Sequence, residues 1–100
     1  MYLLIPMDSD SVAQAQITSV IEANIWAQVH VEDGVVVAIA HSKEWDAFDV
    51  MSEAVIVKQD GESVFSFMEY NMMVLVAHTQ KTIDEIVEAY LFRELHDMAY

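Results

Sequence analysis

Residues 54–91 read AVIVKQDGESVFSFMEYNMMVLVAHTQKTIDEIVEAYL, and this stretch decides the fold. Ala54–Val57 is short, apolar and mostly β-branched, as a buried parallel strand is. Lys58-Gln59-Asp60-Gly61 closes it and opens a helix expected over residues 62–70, with Val64, Phe65 and Met68 at helical spacing. Asn71 suits a left-handed cap, and residues 72–77 form a second apolar strand centred on Val74-Leu75-Val76. Thr82-Ile83-Asp84-Glu85 has the form of a capping box: the Thr hydroxyl accepts from a helix amide while Glu85 reaches back. Ile83, Ile86, Val87 and Tyr90 then line one face of a last helix. Strand, helix, strand in this order is a right-handed βαβ crossover, so the two strands are parallel.

Upstream, residues 24–31 and 35–41 flank Glu32-Asp33-Gly34, a β-hairpin signal in which Gly34 supplies positive φ. Ile25, Ala27, Val29 and Val31 alternate with Trp26, Gln28 and His30, which places Trp26 on the opposite strand face and makes it a candidate exposed contact for a protein partner. Residues 35–40 are apolar throughout and read as a strand covered on both faces. Residues 2–7, YLLIPM, are the first strand, with Pro6 confined to its end or an unpaired side. Asp8-Ser9-Asp10-Ser11 is a polar turn, and residues 12–22 are loop with at most one helical turn. Ser42 is placed to cap a short helix carrying Trp45, Phe48, Val50 and Met51 on its apolar side. The expected fold is a single α/β domain over residues 1–100. Its mixed five-stranded sheet, with helices packed on it, is of the ribonuclease H-like kind.

The chain has 17 acidic residues against four basic ones, Lys43, Lys58, Lys81 and Arg93. A formal charge of −13 repels phosphate backbones and anionic headgroups, so nucleic acid and membrane are not expected partners. The acids mainly keep an apolar small domain soluble; a basic protein partner or a cationic ligand is the alternative. No apolar run is long enough to span a bilayer, and the opening MYLLIPMDSD lacks a charged leader pattern, so a cytoplasmic protein is expected. With no cysteine there is no disulfide, thiolate ligand or Cys nucleophile. His30, His41, His78 and His96 are too scattered for a metal motif, and the methionines read as core filler. No serine-hydrolase elbow, phosphate loop or dinucleotide fingerprint is present.

Ile5-Pro6-Met7-Asp8, the VEDGVVV of residues 31–37, the AVIVKQDG of residues 54–61, the MMVLVAH of residues 72–78 and the TIDEIVEAYL of residues 82–91 stand in a familiar order and spacing. In these the chain resembles the dinitrogenase iron-molybdenum cofactor biosynthesis family, the small NifX-like domain also found at the C-terminus of NifB. The resemblance runs over nearly the whole chain and implies a non-enzymatic protein that binds or carries an iron-sulfur or iron-molybdenum cluster precursor. It departs in three places. Residues 17–24, ITSVIEAN, lack the family's His-Phe-Gly segment. Lys58-Gln59-Asp60-Gly61 keeps only the last glycine of its Gly-rich turn. Residues 41–50, HSKEWDAFDV, replace its Gly- and His-rich loop. A protein-interaction or regulatory module that keeps the fold without the cluster is the alternative.

Ligands of open α/β sheets sit beyond the carboxyl ends of parallel strands. Those ends present Asp8 and Asp10, then Lys58, Gln59, Asp60 and Gly61, then His78. Free amides at Gly61 and the helix after it would suit a small anionic ligand or an anionic metallocluster. The plainer alternative is that the aspartates stabilise a loop, Lys58 pairs with a carboxylate and His78 is a surface residue. Asp8, Asp10 and Asp60 could also hold magnesium for phosphodiester cleavage, which the charge of the chain disfavours.

Overall fold

The computed structural model describes residues 1–98. The elements are β1 (Tyr2–Met7), β2 (Ile25–Glu32), β3 (Val35–Ser42), β4 (Ala54–Val57), α1 (Phe65–Glu69), β5 (Met73–Val76), α2 (Ile83–Leu91) and β6 (His96–Asp97). They build one mixed sheet in the order β3-β2-β1-β4-β5-β6. β1, β4 and β5 are mutually parallel, while the β2–β3 hairpin and β6 add antiparallel pairs on either side. The five expected strands are all present, and a two-residue β6 adds a sixth at the edge.

Strand alternation divides the core in two. Leu3, Ile5 and Met7 of β1 point to one face with Ala27, Val29, Ile56 and Leu75, where Ile83, Ile86 and Val87 of α2 cover them. Leu4 points to the other with Trp26, Val55, Val57, Val74 and Val76, covered by Val64 and Phe67. The capping box of α2 is complete: Glu85 N–H donates to Thr82 Oγ1 at 3.3 Å, and Thr82 N–H donates to Glu85 Oε1 at 3.0 Å. Gly34 at φ 77° follows Asp33 at φ 51°, the paired positive angles of a two-residue hairpin turn, and Asn71 is left-handed at φ 60°.

Several expectations are corrected. Trp26 is only 5% exposed, because its strand lies between β1 and β3 and its ring packs on Phe67 at 5.7 Å. β3 is not covered on both faces; it is the terminal strand, with Val35 and Val37 exposed and Val36 and Ile39 partly buried against the α2-side core. Residues 43–53 form no helix. Ser42 Oγ accepts from Glu44 N–H at 3.2 Å, a turn bond that competes with a helical start, and Trp45 anchors the segment edge-on to Phe67 at 4.9 Å. α1 begins at Phe65 rather than at residue 62, for a reason that belongs to the site.

Candidate functional site

The chain leaves β1 toward β2 and leaves β4 toward β5, in opposite directions along the sheet. The switch point of this topology is therefore the crevice beyond the carboxyl ends of β1 and β4. Asp8 and Asp10 follow β1, Lys58 to Gly61 follow β4, and His78 follows the next parallel strand, β5. Neighbouring strands lie about 4.8 Å apart, so the sheet brings these three clusters to one rim, which sequence order alone had placed at strand ends.

What the residues do there is specific. Asp8 Oδ1 accepts from Gln16 N–H at 2.9 Å, and Asp8 N–H donates to Gln16 O at 3.0 Å. Asp8 thus pins the return of the long β1–β2 loop, as its plainer reading held. The same loop is tied down further by Ile17 N–H to Lys81 O at 2.7 Å and Thr18 N–H to Pro6 O at 2.9 Å. Asp10 is exposed in the turn before this loop, Gln59 is exposed beside the crevice, and Gly61 sits at φ 84°. His78 Nε2 lies 3.0 Å from Asp60 Oδ2, and the His78 and His96 rings are 5.3 Å apart. Lys58 is exposed, and among the described residues no lysine joins a salt bridge; the ion pairs are His30–Glu32 and His78–Asp60.

Glu62 is the residue that the sequence reading missed. Its Oε2 accepts from Lys58 N–H at 2.9 Å and Gln59 N–H at 3.0 Å. Its Oε1 accepts from Val20 N–H at 2.6 Å, across 42 residues of sequence. One carboxylate therefore gathers three backbone amides from the two loops that border the switch point. This fold-back holds residues 58–62 in a turn, and it is why α1 starts only at Phe65. The amides that it holds, of Lys58 and Gln59, precede the Gly61 and helix amides expected to receive an anion. A glutamate five residues after the strand end was the available signal; that Val20 would meet it was not.

Ser19, Ile21, Glu22, Gln59, Gly61, Glu62 and Ser63 line an open groove of about 530 Å³ beside this nest. Ile21 stands 89% exposed on its lip. Three of the four basic residues stand along this end of the sheet: Lys43 follows the terminal strand β3, Lys58 follows β4, and Lys81 precedes the α2 cap. Among the described residues no three His, Asp or Glu side chains converge as a metal-holding set, so a cation site of Asp8, Asp10 and Asp60 is not assembled. Glu85, at the same rim, is held below the ordinary glutamate range by the Thr82 and Lys81 amides and the Thr82 hydroxyl, with Lys81 adding a smaller charge effect. No helix among the described residues is long and apolar enough to cross a membrane.

No family model matches the sequence, and no curated protein does. Solved structures do. The protein PH0822 superposes with a TM-score of 0.75 at 14% identity, over 97% of this chain and 96% of its own. A protein of Methanocaldococcus jannaschii described as a "putative dinitrogenase" superposes with a TM-score of 0.73 at 17% identity, over 99% of this chain and 95% of its own. The chain thus has, end to end and at low identity, the dinitrogenase-like fold that its sequence resemblance implies.

Proposed function

We propose that the protein is a divergent NifX-like module that binds and carries, without catalysis, a small anionic ligand such as an iron-sulfur or iron-molybdenum cluster precursor. The observation that supports this reading is that Lys58 and His78 follow adjacent parallel strands at one sheet rim, with Lys43 and Lys81 farther along the same end, in a chain with only four basic residues. The carboxylates interleaved there are largely engaged: Glu62 by three amides, Asp8 by Gln16, Glu85 by its cap and Asp60 by His78. The lysines are thereby left to attract an anion from solution. His78, with the His96 ring 5.3 Å away, is an imidazole at this rim that could touch a cluster directly, and its bond to Asp60 orients the ring. With no cysteine and only imidazoles as soft donors, the site is suited to transient holding rather than to permanent coordination.

The test is anaerobic titration with an iron-sulfur or iron-molybdenum cluster, desalting, and visible absorption of the protein fraction. Retained colour that falls at least several-fold in Lys58→Ala and His78→Ala, with unchanged circular dichroism, supports the reading. A folded wild-type protein that leaves the column colourless overturns it.

A further inference from the structure

A second groove, of about 530 Å³, opens where the end of α2 lies over β5 and β6. It reaches Met73, the first residue of β5, and so stands toward the other end of the sheet from the rim. Leu75, Tyr90, Leu91 and Leu95 give it an apolar wall. Volume and lining are those of a site for a small organic molecule. Two charged side chains, Arg93 and Asp97, share that wall. Both are exposed, and among the described residues neither side chain makes a hydrogen bond or an ion pair, with the other or with anything else. Glu88 and Glu94, the acids nearest Arg93 in sequence, line a separate cleft with Thr79, Gln80 and Glu85. Arg93 also stands where glycine is the usual residue. Its N–H donates to Tyr90 O at 3.1 Å and Glu94 N–H donates to Ala89 O at 2.7 Å, the paired bonds of a Schellman cap, and Arg93 carries the left-handed φ of 57° that this cap requires. A side chain strains the backbone there, and strain at a charged residue lining a groove marks a functional position.

We propose that this groove binds a free α-amino acid with an apolar side chain, such as leucine or phenylalanine. The Arg93 guanidinium takes the carboxylate through two parallel N–H donors, Asp97 accepts from the ammonium, and the side chain lies on the apolar wall. The pair of opposite charges selects this class. An apolar carboxylate without an amine sets its charge against Asp97, and an apolar amine without a carboxylate sets its charge against Arg93; each is disfavoured by a like charge that the zwitterion satisfies. A zwitterion has no net charge, so the −13 of the chain does not repel it as it repels a simple anion.

The experiment is titration of the full chain at pH 7 with L-leucine and L-phenylalanine, followed by calorimetry and by amide chemical shifts. Glycine, 4-methylpentanoate and 3-methylbutylamine serve as probes that lack the side chain, the ammonium and the carboxylate respectively. The expected result is saturable binding of one leucine or phenylalanine per chain, with shifts at Leu75, Leu95 and Asp97. Each of the three lesser probes should bind at least about tenfold more weakly. Arg93→Gly and Asp97→Asn should each weaken leucine binding at least about tenfold. Arg93→Gly also relieves the left-handed position, so it should melt no lower than the wild type, which separates loss of the ligand from loss of the fold. No saturable binding up to about 10 mM of either amino acid overturns the proposal. So does 4-methylpentanoate or 3-methylbutylamine binding as tightly as leucine, and so does leucine binding unchanged in Arg93→Gly. Neither variant touches the rim, so retention of a cluster there succeeds or fails independently of this result.

Discussion

Replacing Glu62 by glutamine tests the central feature of the rim. Glutamine keeps the volume but has one acceptor oxygen, and it turns an NH₂ donor toward amides that are themselves donors. A hydrogen bond to a charged acceptor contributes about 1.5–3 kcal/mol when both groups are shielded. The Lys58 and Gln59 amides are at exposed positions, so water replaces most of what they lose, and about 0.5 kcal/mol each is a fair share. The Val20 amide is partly buried, and losing its partner costs about 1–1.5 kcal/mol. The sum is about 2 kcal/mol. For a domain of this size that lowers the melting temperature by roughly 10 °C.

The assay is thermal unfolding followed by far-ultraviolet circular dichroism, with Glu69→Gln, on the exposed end of α1, as a control expected to stay within about 0.5 kcal/mol of wild type. Hydrogen exchange supplies the local readout: the Val20, Lys58 and Gln59 amides should lose protection together. The emptied nest should also accept a surrogate, so millimolar phosphate should raise the melting temperature of Glu62→Gln more than that of the wild type. A variant that melts within about 2 °C of wild type, with Val20 still protected, would refute the claim that this carboxylate ties the two loops.

Other outcomes follow from the same coordinates. Phe67→Ala removes the ring that touches both Trp26 and Trp45, and should lower stability by about 3–5 kcal/mol and change tryptophan emission in equilibrium urea unfolding. Glu85 has its carboxyl depressed in the folded state, so its contribution is present above the unfolded glutamate value of about 4.3 and is lost as pH falls through the lower folded value. The melting temperature of the wild type should therefore exceed that of Glu85→Gln at pH 7, and the gap should close on titration toward pH 3. Gly34→Ala meets no atom within 4 Å, so its cost is conformational, about 1 kcal/mol from the left-handed φ of 77°. Chemical denaturation checks that value.

The βαβ unit was legible because its signals are local and agree with one another. Val55, Ile56 and Val57 are apolar in sequence and fully buried in the fold, and Thr82 and Glu85 carry their cap in four residues. The hairpin was legible from Asp33-Gly34 for the same reason. β3 and Trp26 were misread by one common route. An apolar run announces a strand, but whether that strand lies inside the sheet or at its edge depends on where the chain goes next. β2 acquired neighbours on both sides and buried its tryptophan; β3, just as apolar, ended the sheet. The segment after Ser42 was misread because a serine that caps a helix and a serine that closes a turn have the same local appearance, and only the docking of Trp45 on Phe67 separates them.

At the proposed site, net charge is a poor guide to the local field an anion would meet. A formal charge of −13 would seem to exclude an anion anywhere on this molecule. Yet charge acts over about a Debye length, and what an anion meets at the switch point is local. Asp8 and Glu62 direct their oxygens into backbone amides, and Asp60 faces His78. Each such bond places positive hydrogen-bond dipoles against the carboxylate and reduces the field it projects outward. Lys58 has no such internal partner among the described ion pairs. The acids engaged at the crevice therefore repel an anion less than the free acids elsewhere on the surface do. This also gives Glu62 a second consequence beyond stability. It occupies the amides of Val20, Lys58 and Gln59, so a ligand bound at the proposed rim would sit beside it, against Lys58 and His78, or displace it. Affinity measured in wild type and in Glu62→Gln separates these cases: equal affinities mean the ligand sits beside the carboxylate, and tighter binding by the variant means that the native chain holds its own site partly closed.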